Sequence, residues 1–422
     1  MACSNSESIK DSGNGPAWVA EDDENEVSID ISSSTNSKES HTSSSKTIDY
    51  LPIDDSEYPY AGIPRIVIET ENHQAIKDRE TEIPAKLQIW GEKAPESEIM
   101  DLTIRGRGNA SWSYPKKPYA IKFKEKQDFL GMPKAKKWVM LANYRDRTLI
   151  RNALALELAR KTSLKWTPSG KFVDVFLNRK FIGNYYICEK IEVKKNRLEL
   201  DDNGFLIEFD TYYDEEHKFK TSFKNLPANI KYPKELSDNN QLDYIRNYID
   251  TIECNLYGNC DFIDIQQYLN LQSLAFFWII QELAQNEEMY WPKSVFVYKD
   301  SILNFGPVWD FDWQTFTSTK TGLRNKNKFW IDSLKKRKYF SDIVKKEWNT
   351  YKKDFIESTN FIDSIAAYTY ISNEANHKLW PINISSYYCG DEKEDFYKSI
   401  ELLKSTLLNR ISELDRLFNH LP

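Results

Sequence analysis

The sequence predicts an α+β fold, with strands gathered in the first half of the folded chain, helices in the second, and a polar leader ahead of both. Three observations predict it. Short β-branched and aromatic runs with period-two alternation recur between residues 63 and 209. Apolar positions at helical spacing dominate 261–285 and 341–417. Residues 1–48 are rich in Ser, Asn, Asp and Glu and nearly free of large apolar side chains, so they bury too little to offset their ordering entropy and read as disordered.

At 422 residues the chain exceeds what one small core needs, and one large or two lobed domains are expected, over about 60–420. The aromatic content of 14% supplies a substantial core and an aromatic-lined cleft. A net charge of -7 argues against a nucleic-acid partner, because phosphate binding needs a basic surface. The five cysteines and five histidines show no metal-ligand spacing, although Cys254 and Cys260 sit where a small disulfide loop would form. No apolar run reaches the length of a membrane span. Met1-Ala2-Cys3-Ser4-Asn5 resembles the end of a bacterial lipobox, with Cys3 as the lipidated residue and the polar leader as a tether. That reading places the folded part outside the cytoplasm, held on a bacterial outer membrane or cell surface by the N-terminal lipid only.

The elements follow in order. Strands are expected at 63–69, 85–90 and 99–105. A loop with two glycines, Gly106 and Gly108, and the polar residues Arg107, Asn109 and Ser111 follows. Its amides and Arg107 suit an anion, although most Gly-rich turns are simply turns. The next strand, 119–124, carries Lys122 on the face opposite Ile121 and Phe123. A lysine there is where kinases hold nucleotide phosphates, and equally where an ordinary strand faces solvent. Gly131 to Lys134 reads as a loop, and no Walker-type phosphate motif is present. A strand at 138–142 and a helix at 148–161 come next, the helix carrying Glu157 between Leu156 and Leu158, in reach of Lys122 or of solvent. A hairpin, 171–177 and 181–188, ends at Glu189, where a segment connecting two lobes would start. Phe205 to Phe209 is a strand, and 211–240 reads as a charged, irregular insertion. A helix over 261–285 leads into the turn Asn286-Glu287-Glu288, then strands at 294–299 and 303–305. Helices are expected at 341–355, 361–379 and 395–417.

The segment after the last strand, Gly306-Pro307-Val308-Trp309-Asp310-Phe311-Asp312-Trp313, holds two carboxylates in an aromatic frame. Strand alternation would put Asp310 and Asp312 on one face. Two acids held together there are costly without a cation, and magnesium suits a few carboxylates completed by phosphate oxygens. The plainer reading is an amphipathic strand with two surface acids. A glycosidase pair is disfavoured, because acids within one strand lie too close for water-assisted inversion.

Four segments taken together carry a resemblance: RGRGNASWSYPKKPYAIKF from Arg105, LGMPKAKKWVMLANYRDRTLIRNALALELAR from Leu130, FLNRKFIGNYYICEKIEV from Phe176 and FGPVWDFDW from Phe305. In this order they resemble the spore-coat protein H (CotH) kinase family, over nearly the whole folded part. The resemblance implies an atypical protein-kinase-like fold with two lobes, a β-rich one over about 60–190 and a helical one over about 191–420. It implies ATP and magnesium or manganese as cofactors, and a protein bearing a Ser, Thr or Tyr hydroxyl as partner. Carried over residue by residue, Arg107, Asn109, Ser111 and Trp112 form the phosphate-covering loop, Lys122 holds phosphates with Glu157 as its helix partner, and Glu189 begins the adenine hinge. Asp310 is the principal metal ligand, with Asp312 beside it and Ser294 in the place of a second ligand. The family's pattern usually offers a catalytic Asp between Asn286 and Ser294; here the acids are Glu287 and Glu288. Glu288 then serves as the catalytic carboxylate, with a carboxylate about 1 Å further out, a displacement that costs about a hundredfold in rate. The same departure motivates a rival from another class: a fold without catalysis, serving as a surface module that binds a glycan or protein.

Overall fold

The computed structural model describes residues 49–422 except 290–291, 383–388 and 392; the expectations for Cys3 and for the tether over 1–48 lie outside the described residues. The fold is mixed α and β. Seven strands close into a barrel: β1 (Arg65–Thr70), β2 (Ile83–Trp90), β3 (Met100–Gly106), β4 (Tyr119–Phe129), β5 (Met132–Leu141), β6 (Gly170–Leu177) and β7 (Lys180–Glu189), in the order β1-β2-β3-β4-β5-β7-β6. Neighbours are antiparallel except at the seam, where β1 pairs parallel with β6, Arg65 opposite Asp174 and Ile68 opposite Leu177. Alternation drives this part: Ile121 and Phe123 point into the barrel among Leu102, Trp138, Val173 and Ile187, while Lys122 between them points out. The expected loop at Gly131–Lys134 is mostly strand. The turn is confined to Leu130 and Gly131, both with positive φ, and β5 starts at Met132.

After β7 the chain builds a second sheet in the order β12-β11-β8-β10-β9, from β8 (Phe205–Phe209), β9 (Lys218–Lys220), β10 (Pro227–Tyr232), β11 (Val295–Lys299) and β12 (Leu303–Phe305). Two corrections follow. The C-terminal part is not purely helical, because this sheet lies within it. The stretch 211–240 is not an irregular insertion: β9 and β10 form the sheet's edge, and their apolar residues Phe219, Ala228 and Ile230 are buried.

Among the described residues six helices complete the fold: α1 (Arg151–Arg160), α2 (Asn239–Tyr257), α3 (Leu271–Leu283), α4 (Ile331–Leu334), α5 (Lys338–Leu379) and α6 (Phe396–Asn419). α3 begins ten residues later than the apolar spacing predicts, because Asn270 caps it by accepting the amides of Gln272 and Ser273. It is buried almost all round. The two expected helices between 341 and 379 are one 42-residue helix. The Cys254–Cys260 disulfide closes the end of α2. Among the described residues no helix is long and apolar enough to cross a membrane.

α5 fastens the barrel through a buried polar seam. Ser372 donates to the Asp174 carboxylate and accepts from the Asn184 side chain, while Asn376 accepts from Lys116 at 2.7 Å. Lys116 also donates to the carbonyls of Ala142 and Asn184, so this basic residue has a structural task.

Candidate functional site

A cavity of about 850 Å³ lies between the barrel and the second sheet. Its barrel wall is the outer face of β3–β5 with the loop after β3; its other wall is the end of β8, the turn at Glu288, the start of β11 and the segment after β12.

The loop after β3 is held rather than free. A Cβ on Gly106 would lie 2.6 Å from the Asp78 carbonyl, and Gly108 has φ +81, so both positions need glycine. Arg79 donates to the Asn109 side chain at 2.6 Å, and a single helical turn, Ala110–Ser113, follows. Arg107, Asn109 and Ser111 line the cavity. Trp112 is corrected: it is not among the lining residues but packs on Tyr119, covered by Lys117, which donates to its carbonyl.

The carboxylates meet at the opposite wall. Asp310 and Asp312 do not lie on a strand; the segment after β12 is irregular, and Asp310 has φ +68. They come together all the same, close enough that the charge of Asp310 shifts the titration of Asp312. Two bonds fix this geometry, Phe311 N to Asn152 Oδ1 at 2.8 Å and Asn286 Nδ2 to the Asp310 carbonyl at 3.0 Å. A left-handed Asp held from both sides is stored backbone strain at a site of converging acids. Ser294, also left-handed at φ 52, lines the same wall as Asp310. The turn at the end of α3 sends its two acids apart. Glu287 pairs with Lys320 at 3.0 Å and Arg324, while Glu288 lines the cavity.

Electrostatics set this wall apart. Asp310 is open to the cavity yet enclosed by its walls; that enclosure raises its pKa, and Arg107 and Lys293 oppose the rise. Enclosure and then the charge of Asp310 push Asp312 and Glu288 far above the usual carboxylate range. Asp210, at the end of β8, joins them; its carboxylate accepts from the Tyr212 amide at 2.7 Å. A crowd of enclosed carboxyls sharing protons is the donor set a divalent cation would relieve. Among the described residues no group of three or more His, Cys, Asp or Glu is gathered as a ready cage. The residues therefore fit a cation held by Asp310 and Asp312 and completed by a ligand's oxygens, the mode magnesium favours.

A family model for CotH kinase protein matches residues 104–414. The chain belongs to the CotH kinase family. A comparison with curated proteins found no match.

Two CotH assignments do not meet in space. Glu157 pairs with Arg160 and Lys161 on its own helix, at 3.2 and 3.3 Å, and does not line the cavity; it is corrected from partner of Lys122 to a helix-surface acid. Glu189 turns into the wall, accepting the Ser169 amide at 2.8 Å beside Arg197, while its neighbours Lys190 and Ile191 face the cavity. Lys122 lines the cavity, but three residues along β4 from Tyr119, the partner of Gly106, which is about 10 Å at ~3.3 Å per residue. The cations facing Asp310 are Arg107 and Lys293. Sequence reasoning missed Lys293, Asp210 and Asn152. Asp210 carried one usable signal, an acid directly after an apolar strand; the other two carried none.

Proposed function

We propose that this CotH family member is a metal-dependent protein kinase that moves the γ-phosphoryl group of ATP to a Ser, Thr or Tyr hydroxyl, with the barrel and the sheet-and-helix part as its two lobes. The observation that carries the reading is the convergence of Asp310, Asp312 and Glu288 on one wall of a cavity whose other wall presents Arg107. Asp310 and Asp312 would hold magnesium or manganese, with Ser294 beside Asp310, and the ion would supply charge neutralisation for the phosphates, as in phosphoryl transfer generally. Arg107 and Lys293 hold phosphate oxygens beside it, with the amides and side chains of Asn109 and Ser111 closing over them. Lys122 takes phosphate charge further along β4. Tyr114, Trp309 and Trp313 line the same cavity and offer aromatic surface to a base. Glu288, on the same wall, would accept the proton of the attacking hydroxyl. The Cys254–Cys260 disulfide supports an oxidising, extracytoplasmic setting.

The test is calorimetry of ATP with magnesium on wild type and Asp310→Ala, joined to transfer of labelled phosphate to protein. Metal-dependent binding lost in the variant, with label transferred by wild type alone, is the expected result. Equal binding by both would overturn the metal assignment. Binding without any transfer would instead favour a catalytically inactive module, the reading motivated by Glu288 in place of an Asp.

A further inference from the structure

The cavity has a second charged region, and it is basic. In the β4–β5 ladder Lys122 stands opposite Lys137. In the β5–β7 ladder Trp138 stands opposite Glu189, so the next antiparallel step sets Lys137 against Lys190. Lys122, Lys137 and Lys190, the first residue past β7, thus line up on the cavity wall, and Lys234, just beyond β10, joins them there. Like charges opposite one another in a sheet are destabilising. Among the described residues none of the four ammonium groups has a hydrogen bond or ion pair. Four acids nearby are engaged elsewhere: Glu192 with Arg197 at 3.1 Å, Glu208 and Glu215 with Lys231, and Glu82 with the Thr103 hydroxyl at 2.8 Å; Asp214 also lines the cavity. Burial and the neighbouring lysines pull Lys190 down to about 8 and lower Lys137 as well.

We propose that Lys137, Lys190 and Lys234 form a second anion site in the cleft, built for the carboxylates or phosphates of an acidic acceptor peptide. Its role in catalysis rests on the kinase reading; its binding does not. Lys122 is left to the nucleotide phosphates; Lys137 and Lys190 stand one and two strands beyond it, about 5 and about 10 Å further across the sheet. A base does not suit the site, since base and cofactor slots are mainly apolar and aromatic. An extended peptide covers that distance in about three residues. The acidic groups therefore stand about three to five residues from the accepted hydroxyl.

The experiment uses three fluorescent peptides and the full chain without nucleotide. Each carries one Ser, with Asp, phosphoserine or Asn at the positions three to five residues away. Fluorescence anisotropy is expected to show the Asp and phosphoserine peptides binding about tenfold or more tightly than the Asn peptide, less so at high salt. The order of those two tells which anion the site prefers. Lys137→Gln, Lys190→Gln and Lys234→Gln combined should erase the preference and leave affinity for ATP with magnesium unchanged. Equal binding of all three peptides overturns the site, and so does a combined variant that loses nucleotide instead. Acidic binding without label transfer would reject the kinase reading and keep the site; transfer to the Asn peptide with an unchanged KM would do the reverse. As a folding control, Lys190→Gln should raise Tm by removing a repelled charge; a fall would show that the ammonium already has its partner and would overturn the proposal.

Discussion

Asn152, in the first turn of α1, accepts the backbone amide of Phe311 through its Oδ1 at 2.8 Å. That one bond ties a helix to the residue between the two cavity acids, while the Asn152 Nδ2 is held by Asn143 at 2.9 Å. Asn152→Ala removes the brace from one side and leaves only Asn286 on the other. A site misplaced by about 1 Å loses about a hundredfold in rate, so kcat should fall about 10- to 100-fold with little change in nucleotide affinity. Steady-state kinetics measure the split, and amide exchange at Phe311 should quicken in the same variant.

The turn after α3 offers two adjacent glutamates with opposite fates. Glu287 is bound by Lys320 and Arg324, and Glu288 stands on the cavity wall with Asp310. Glu288→Gln should lower kcat by about 10² to 10⁴, the usual contribution of a general base. Glu287→Gln should change kcat less than about threefold and cost at most about 1 kcal/mol of stability, because its partners are partly exposed. Equal losses from both, in kinetics and thermal melts, would mean that the turn is needed only as a structure.

How much of this was legible in the chain depends on which force shaped each part. The barrel was, because Ile66, Ile121, Val173 and their like alternate with polar residues at every strand. β9 and β10 were not: lysines and glutamates crowd 211–240, and only three buried apolar side chains mark the sheet edge; α2 was passed over although Ile245, Ile249, Ile252 and Leu256 stand at helical spacing. The pairing of Asp310 with Asp312 was anticipated for the wrong reason. Strand alternation does not operate in an irregular segment, and a left-handed residue braced by Asn152 and Asn286 does the work instead. Trp112 and Glu157 failed because a motif gives order along the chain, not the direction of a side chain. Lys190 escaped notice because its significance lies in cross-strand register with Lys137, which no local pattern reveals.

Crowded acids trade stability for cation affinity. With Asp310 raised by enclosure and Asp312 by enclosure and the charge of Asp310, Asp312→Asn should relieve repulsion in the metal-free protein. Its Tm should rise by about 1–3 °C, a shift of about 1 kcal/mol in a chain of this size. Wild type should overtake it once magnesium and nucleotide are added, since only wild type gains the binding free energy. Differential scanning fluorimetry with and without the pair reads both signs.

Stability against acid should turn on two groups at the seam between α5 and the rest of the fold. His377 donates its Nε2–H to the Arg147 carbonyl at 3.0 Å, and burial, then the charges of Arg147 and Lys116, lower its pKa to about 3. The folded state thus binds fewer protons there than the unfolded state, whose imidazole titrates near 6.5. The neutral ring's contribution is complete above pH 6.5 and is lost as pH falls toward 3, at most about 1.4 kcal/mol per pH unit. Asp174 works the other way. Burial raises it to about 6 against the opposing Ser372 bond and Lys116 charge. Its protonated form favours the folded state, fully below pH 3.8, and that advantage is lost as pH rises to 6. Between pH 6.5 and 6 His377 therefore acts alone, and below 6 Asp174 offsets it. Urea titrations from pH 7.5 to 4.5 should show His377→Gln flattening the acid loss from pH 6.5 downward. Asp174→Asn should steepen it below pH 6 only, because removing the acid removes the offset and leaves the histidine unopposed.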